Sequence, residues 1–310
     1  QSANIFGVEF TTLSENACSL PTGWTAMDLG NVGIPGEVCE NGGIWTIHAS
    51  GTDIWGQNDQ FHYVYQKLEE NMELTTRVSE IGNANVWAKA GLMIREKLNA
   101  GSPNVGIFVT SSRGIQHQNR LQENQTTLRV TQDNLGAPHW LRIRRNGGLI
   151  KTYYSETGEP DTWTSLGESL SMGEGDLWIG MAHTSHNNSL INKAVFTDVS
   201  LNTIAPSLSL SPSTLSLPAT AGDSSISVNA NVAWTASENT AWVTLGTNAG
   251  SGNGTLTFTY QANPGTESRT TQVTVSGGGQ TKTLTLNQAG KEVVPPQLSA
   301  NPKSFELGMA

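Results

Sequence analysis

The stretch Leu256-Thr257-Phe258-Thr259-Tyr260 alternates apolar and polar side chains, and a period of two is typical of a β-strand with one buried face. The same alternation returns at Val273-Thr274-Val275 and at Leu284-Thr285-Leu286. Three glycines at 277–279 separate these two runs and predict a hairpin turn. About seven such short strands between residues 208 and 290 predict an immunoglobulin-like β-sandwich.

Residues 24–201 carry short alternating or apolar runs that are separated by turn residues and show no helical periodicity. This pattern predicts ten strands in two large sheets that pack face to face. The predicted strands are Ile44–His48, Phe61–Gln66, Leu74–Val78, Ala88–Arg95, Val105–Thr110, Leu128–Thr131, Trp140–Arg144, Lys151–Ser155, Leu177–Thr184 and Ala194–Val199.

An internal repeat divides the chain further, because the segment Leu208–Leu217 returns as Leu298–Leu307. We predict an all-β protein with a large sandwich at 1–203, an immunoglobulin-like sandwich at 204–290, and a linker with the first strand of an incomplete repeat at 291–310. That last strand, with Leu298, Phe305 and Leu307, is a candidate for addition to the sheet edge of another copy. A fragment cut from a longer repeat chain would end in the same way.

The charge of the chain argues against nucleic acid as a partner. Charged residues make up 14% of the sequence and the formal net charge is −9, whereas binding to phosphate backbones requires clustered Lys and Arg. No apolar run approaches the roughly 18–20 residues that cross a bilayer. We therefore expect neither nucleic acid nor a membrane span.

The two cysteines, Cys18 and Cys39, lie on either side of a segment that contains Gly and Pro. A disulfide between them would suit an oxidising compartment and would close a loop of about 20 residues. Two buried free thiols are the alternative.

Residues 208–290 resemble the BACON domain, an immunoglobulin-like module of secreted bacterial proteins. The segments that carry this resemblance are the opening Leu-Ser-x-Ser-Pro at 208–212, Trp234-Thr235, Ala241–Thr244, Gly250–Gly252, Asn263–Arg269 and the closing Leu286–Gly290.

Residues 22–201 resemble the concanavalin A-like (jelly-roll) sandwich that accompanies secreted bacterial glycoside hydrolases and adhesins. The segments that carry this resemblance are Asp53–Gly56, Asp59–Tyr65, Trp87–Glu96 and His183–Asn187. Together the two resemblances imply an extracellular or cell-surface protein that functions near polysaccharide. Neither of them implies catalysis.

Glycoside hydrolysis requires two carboxylates that face one glycosidic bond. Glu69 and Glu70 are adjacent and therefore face opposite sides of a strand, while Glu156, Glu159 and Asp161 fall in a Gly/Pro turn. The pair His183 and His186 has no third ligand and lacks the helical spacing of zinc hydrolases, which favours hydrogen-bonded histidines. We therefore expect no enzymatic activity.

Glycan binding instead uses aromatic faces and planar polar groups. Strand parity places Trp140 and Arg142 on one face of their strand, opposite Leu141 and Ile143. The same parity gives Arg95, Gln116, Gln118 and Arg120 as outer residues of their strands, and His62 is a further candidate. If these strands are neighbours, the residues form a single concave carbohydrate-binding patch. In the alternative interpretation, the Arg and Gln side chains only solvate an exposed sheet face, and Trp55 and Trp87 fill the core.

Asp53, Asp59 and Asp198 are candidates for a structural Ca²⁺ site, because this ion prefers clustered oxygen ligands and many concanavalin A-like domains carry one.

The sequence favours a non-catalytic, carbohydrate-associated or adhesive module of a secreted or cell-surface bacterial protein, with polysaccharide or a glycoprotein glycan as partner. One alternative is a subunit of an extracellular filament that joins copies of itself through the C-terminal strand. Another is the accessory region of a glycoside hydrolase.

Overall fold

The structure is a computed structural model that describes residues 18–68, 71–170 and 176–293. It divides between Pro206 and Ser207 into two compact units. The predicted assembly strand with Leu298, Phe305 and Leu307 lies outside the described residues. The predicted all-β fold is confirmed, because the elements that the structure describes are strands and a single 3₁₀ turn. None of the described residues forms a helix long and apolar enough to cross a membrane.

The first unit consists of two seven-stranded antiparallel sheets. Sheet A has the strand order β1-β4-β13-β6-β7-β8-β9, and sheet B has the order β12-β11-β10-β5-β14-β3-β2. The strands are β1 (Thr25–Leu29), β2 (Glu37–Asn41), β3 (Ile44–Ala49), β4 (Phe61–Leu68), β5 (Met72–Ile81), β6 (Lys89–Arg95), β7 (Asn104–Thr110), β8 (Ile115–Arg120), β9 (Leu128–Gln132), β10 (His139–Asn146), β11 (Leu149–Ser155), β12 (Thr164–Leu170), β13 (Leu177–Thr184) and β14 (Asn192–Thr203).

All ten predicted strands of this unit are present, and the parity of Gln116–Arg120 correctly indicated β8. Three strands escaped prediction, namely β1, β2 and β12, and each of them is an edge strand of its sheet. An edge strand is partly solvated, so its sequence carries a weaker apolar pattern than that of a central strand. The acidic turn that contains Glu159 and Asp161 is confirmed as the 3₁₀ turn Pro160–Thr162 between β11 and β12.

The core of the first unit lies between the two sheets. Parity is correct in β10, where Leu141 and Ile143 are fully buried in this core while Trp140 and Arg142 face outward and are half-buried. The core also contains side chains such as Leu92, Ile94, Ile107 and Phe196.

A second apolar cluster covers the opposite, outer face of sheet A. Phe61, Tyr63, Met93 and Phe108 are buried there, although they point away from sheet B. Two loop segments supply the covering side chains, since Ile54 from residues 51–60 belongs to the cluster and Leu98 from residues 96–103 packs against it. The outer face of sheet A is therefore a second, smaller core.

The second unit is also a β-sandwich, built from a four-stranded sheet (β15-β17-β21-β19) and a five-stranded sheet (β16-β23-β22-β18-β20). The strands are β15 (Leu208–Ser211), β16 (Thr214–Leu217), β17 (Gly222–Ala230), β18 (Ala233–Glu238), β19 (Val243–Leu245), β20 (Ala249–Ser251), β21 (Gly254–Tyr260), β22 (Arg269–Gly277) and β23 (Gln280–Gln288).

The alternating stretch Leu256–Tyr260 is the central part of β21, and its apolar residues Leu256, Phe258 and Tyr260 are buried. The predicted hairpin joins β22 to β23, where Gly277 pairs with Gln280. The two residues between them, Gly278 and Gly279, have φ angles of 55° and 71°, a conformation that glycine adopts at no steric cost.

Cys18 and Cys39 form a disulfide that ties the start of the described chain to β2. The bridge is confirmed, and the alternative of two free thiols is wrong.

We expect reduction of this disulfide to lower the free energy of unfolding by about 3 kcal/mol, because it closes a loop of roughly 20 residues that the unfolded chain would otherwise leave open. Urea denaturation with and without reductant measures the difference. The variant Cys18→Ser/Cys39→Ser is the control and should not respond to the reductant. Equal stability of the oxidised and reduced protein would contradict the expectation.

Candidate functional site

A cavity of about 280 Å³ opens at one end of the outer face of sheet A. Its lining combines aromatic and polar or charged side chains, namely Asp53, Trp55, Trp87, Lys89, Arg129 and His186. Its volume lies near the lower end of the range of small-molecule sites, which is roughly 300–1,000 Å³.

Loops and strand ends bring these side chains together. Lys89 is the first residue of β6, and Trp87 lies two positions before it. Lys89 pairs in register with Thr184, the last residue of the neighbouring strand β13. His186 lies two residues after Thr184 and is therefore close to Lys89. Arg129 lies on β9, and Asp53 and Trp55 lie in the covering segment 51–60. The site therefore lies on the outer face of sheet A, at the border of the apolar cluster that covers this face.

The two tryptophans hold a guanidinium group between them. Trp55 and Trp87 are half-buried, and the Cζ atom of Arg129 lies 5.2 Å and 4.8 Å from the centroids of their respective rings. A second cation, Arg113, lies 5.2 Å from the Trp87 centroid. These distances are within the range of cation–π attraction. The expectation that Trp55 and Trp87 fill the core is wrong, because both line the cavity.

Asp53 is the acidic member of the site and is already paired. Its Oδ1 atom accepts hydrogen bonds from the Nζ of Lys89 and from the backbone N–H of Ile54, and its Oδ2 lies 3.2 Å from Nδ1 of His186. Lys89 is almost fully buried, and this burial lowers its pKa, while the neighbouring Asp53 opposes the shift.

A buried ion cluster fixes the covering loops beside the cavity. The carboxylate of Asp59 accepts hydrogen bonds from both terminal nitrogens of Arg120, at 2.9 Å and 2.6 Å, and a third from Arg95 at 3.5 Å. Burial raises the pKa of Asp59, and the two guanidinium groups oppose this shift. We assign the ionised form to Asp59 because arginine side chains remain charged in proteins.

The same two arginines also bind backbone carbonyls of the loops. Arg120 donates to the carbonyls of Gly56, Ala100 and Ser102 at 3.1–3.2 Å. Arg95 donates to the carbonyls of Lys97 and Asn99. The cluster therefore ties segments 51–60 and 96–103 to strands β6 and β8.

The predicted single, exposed patch is wrong in its composition. Arg95 and Arg120 have 0% and 1% of their surface exposed, and Gln116 and Gln118 are buried as well. Parity correctly places all four on the outer face of sheet A, but the loops cover that face. Gln118 donates to Oε1 of Gln116 at 2.9 Å, and neither glutamine lines the cavity.

His62 lies on the other face of sheet A and does not join this group. It pairs in register with His183, which in turn pairs with Ala90 of the inter-sheet core. Its Nδ1 lies 2.8 Å from Oδ1 of Asp28. Trp140 and Arg142 lie on the outer face of sheet B, so the seven predicted residues do not form one surface.

His183 and His186 also separate. His183 is fully buried, with Nδ1 2.8 Å from the carbonyl oxygen of Lys89 and Nε2 3.1 Å from that of Asn192. Burial lowers its pKa to about 4, and the hydrogen bonds to these two carbonyl oxygens oppose the shift. His186 instead faces Asp53 in the cavity.

The three aspartates proposed for Ca²⁺ do not fit a common site. Asp53 is held by Lys89, Asp59 is held by two arginines, and Asp198 belongs to β14 of the other sheet. Among the described residues there is no group of three His, Cys, Asp or Glu side chains that could hold a metal ion.

The sequence did contain a signal for the cavity. Three of its four stretches that resemble concanavalin A-like domains, Asp53–Gly56, Trp87–Glu96 and His183–Asn187, supply five of the six lining residues. Arg129 has no such signal, since it is an exposed residue of the edge strand β9.

Comparison with known families identifies the second unit. Residues 232–289 match the BACON family. That family is described as a putative binding domain, N-terminal, and the match confirms the resemblance that the sequence indicated. The BACON match covers all six strands from β18 to β23, and no curated protein matches the chain.

Several solved structures are similar to the chain. A functionally unknown protein from Saccharomyces cerevisiae is 16% identical, with 59% of this chain and 97% of that chain covered and a TM-score of 0.46. A legume lectin-like domain from Entamoeba histolytica is 10% identical, with 59% and 91% covered and a TM-score of 0.39. A Bacteroides ovatus GH5 xyloglucanase in complex with a XXXG heptasaccharide is 22% identical, with 29% and 20% covered and a TM-score of 0.27.

Proposed function

We propose that the protein is a non-catalytic carbohydrate-binding module and that its saccharide binds in the cavity lined by Trp55 and Trp87, beside the guanidinium group of Arg129. The observation that carries this proposal is the combination of two half-buried indoles and several polar side chains around one small cavity. The apolar face of a sugar ring packs on an aromatic surface, while its hydroxyl groups bind planar polar groups. Asp53, His186 and Arg129 supply the polar groups.

The carboxylate content of the cavity supports a binding role over hydrolysis. Of the described residues that line the cavity, only Asp53 carries a carboxylate, and Lys89 pairs with it. Hydrolysis of a glycosidic bond ordinarily uses two carboxylates on either side of that bond. A paired, single carboxylate is suited to accepting hydrogen bonds from sugar hydroxyls.

The disulfide and the BACON unit support an extracellular setting. Disulfides persist in oxidising compartments, and a putative binding domain is consistent with attachment to another molecule. In this proposal the first unit binds glycan and the BACON unit serves as a spacer or tether.

Affinity gel electrophoresis with a panel of soluble polysaccharides tests the proposal. The protein should migrate more slowly in a gel that contains its ligand. Normal migration with every polysaccharide, confirmed by a glycan array, would contradict the proposal.

We expect Trp87→Ala to lower the affinity for the retained polysaccharide about tenfold or more, because loss of an aromatic stacking surface costs about 1 kcal/mol or more beyond the lost buried area. Trp87→Phe should recover part of the affinity. Trp140→Ala is the matched control, since Trp140 is also half-buried but lies on the outer face of sheet B. Isothermal titration calorimetry measures all three variants. A loss in Trp140→Ala and none in Trp87→Ala would place the site on the other sheet.

A further inference from the structure

Two arginines at the cavity have no anionic partner. Arg113 and Arg129 are exposed, and within residues 18–68, 71–170 and 176–293 neither side chain donates a hydrogen bond or lies within 4.0 Å of a carboxylate. Other arginines of the first unit are paired: Arg95 and Arg120 with Asp59, and Arg142 and Arg144 with Glu73. The cavity thus keeps two unpaired cations in a protein whose net charge is −9.

The indole rings orient these guanidinium groups. Arg129 lies between the rings of Trp55 and Trp87, and Arg113 lies against Trp87. A guanidinium group held against an aromatic ring keeps the N–H donors that point away from the ring available. Such donors match the two oxygens of a carboxylate, and contact with the rings reduces the freedom that binding would otherwise remove.

The remaining charges of the cavity do not cancel this excess. Asp53 is already paired with Lys89, so these two residues contribute little net charge. His186 lies beside Asp53 on the same side of the site. The positive field at the entrance therefore comes from Arg129 and Arg113.

Arg113 also connects the site to a second cavity. This space of about 470 Å³ is lined by Ser112, Arg113, Gly114, Asp133, Asn134 and Leu135. Since Arg113 lines this cavity and also contacts Trp87 of the first, it lies between the two. Asp133 adds a negative charge to the second cavity and disfavours an anion beside it. The anionic group of a ligand is therefore expected at the guanidinium groups of Arg113 and Arg129. Two adjacent cavities suit a chain of sugar residues.

We infer that the saccharide bound here is an acidic polysaccharide, with a uronate carboxylate or a sulfate group bound at the guanidinium edges of Arg113 and Arg129. This inference rests on the proposed function and adds the class of ligand. A planar carboxylate fits the paired N–H donors, while a sulfate ester presents the same charge with a tetrahedral arrangement of oxygens.

Polygalacturonate and its methyl-esterified form test the inference, because they share one backbone and differ in charge. We expect the protein to bind the acidic form at least tenfold more tightly at low salt, and we expect this preference to shrink as salt screens the charges. A sulfated galactan and a neutral galactan form a second pair, which distinguishes sulfate from carboxylate recognition. Titration calorimetry and affinity gels measure each binding constant.

Arg129→Gln and Arg113→Gln should each reduce the preference for the acidic form over the neutral form several-fold. Arg144→Gln is the matched control, because Arg144 lies on the outer face of sheet B and would report non-specific attraction of polyanions. Circular dichroism checks that each variant is folded.

The possible outcomes separate the two proposals. Equal binding of the acidic and esterified forms, or a preference that survives Arg129→Gln, would overturn the acidic-ligand inference and leave the proposed function standing. A preference that disappears in Arg144→Gln would also overturn it. Binding of no polysaccharide would contradict the proposed function itself.

Discussion

The variant Asp59→Asn should lower the free energy of unfolding by about 3–5 kcal/mol, which is the usual cost of removing one partner from a buried ion pair. Asn has nearly the same shape as Asp but no charge, so two fully buried guanidinium groups would lose their counter-ion. Urea denaturation monitored by tryptophan fluorescence measures the change.

The exposed pair Lys97–Glu123 provides the control. Its atoms are only 2.6 Å apart, yet both side chains are open to solvent, which screens their attraction, so this pair contributes little to stability. Glu123→Gln should therefore have a much smaller effect than Asp59→Asn. Equal, small effects of the two variants would mean that the buried cluster does not stabilise the fold.

The Asp59 cluster also explains why part of the site could not be predicted. Alternation along Gln116–Arg120 correctly identified a strand and the face to which each side chain points. It did not indicate that loops 51–60 and 96–103 cover that face, because alternation reports the period of a strand and not what packs on it. Arg120 therefore looked solvated in the sequence, whereas it is buried against Asp59.

The fold itself was largely predictable because local pattern and long-range packing agree. Central strands such as β10 and β21 present strict alternation, and glycines mark the hairpin between β22 and β23. In the edge strands β1, β2 and β12 the local sequence pattern is too weak to indicate the strand that the packing produces.

The tryptophans of the cavity show a different limit. Composition suggests that a large apolar side chain such as Trp87 belongs to the core, and this is usually the better default. The position of Trp87 before the first residue of β6 places it beyond the sheet, where it lines the cavity and contacts Arg113 and Arg129. Only the three-dimensional arrangement of β6, β8 and β9 brings these cations to one indole.

Acidification should destabilise the protein well before most carboxylates are protonated, because two buried histidines are held neutral. Burial lowers the pKa of His117 and that of His183 from 6.5 to about 4. The unfolded chain therefore binds more protons than the folded chain between these values, so the stability is complete above pH 6.5 and falls as the pH drops towards about 4. We expect a loss of about 2 kcal/mol per histidine between about pH 7 and about pH 5.

Urea denaturation at several pH values measures this dependence, and single variants assign it. His117 lies between the sheets, 2.9 Å from the hydroxyl of Thr152, and His117→Gln should remove about half of the loss. His48→Gln is the control, because His48 lies near the edge of sheet B with 36% of its side chain exposed, and this variant should keep the full pH dependence. Glutamine cannot take up a proton, so each of the variants His117→Gln and His183→Gln removes one titrating group. If both variants retained the pH dependence of the unchanged protein, other groups would be responsible for the acid sensitivity.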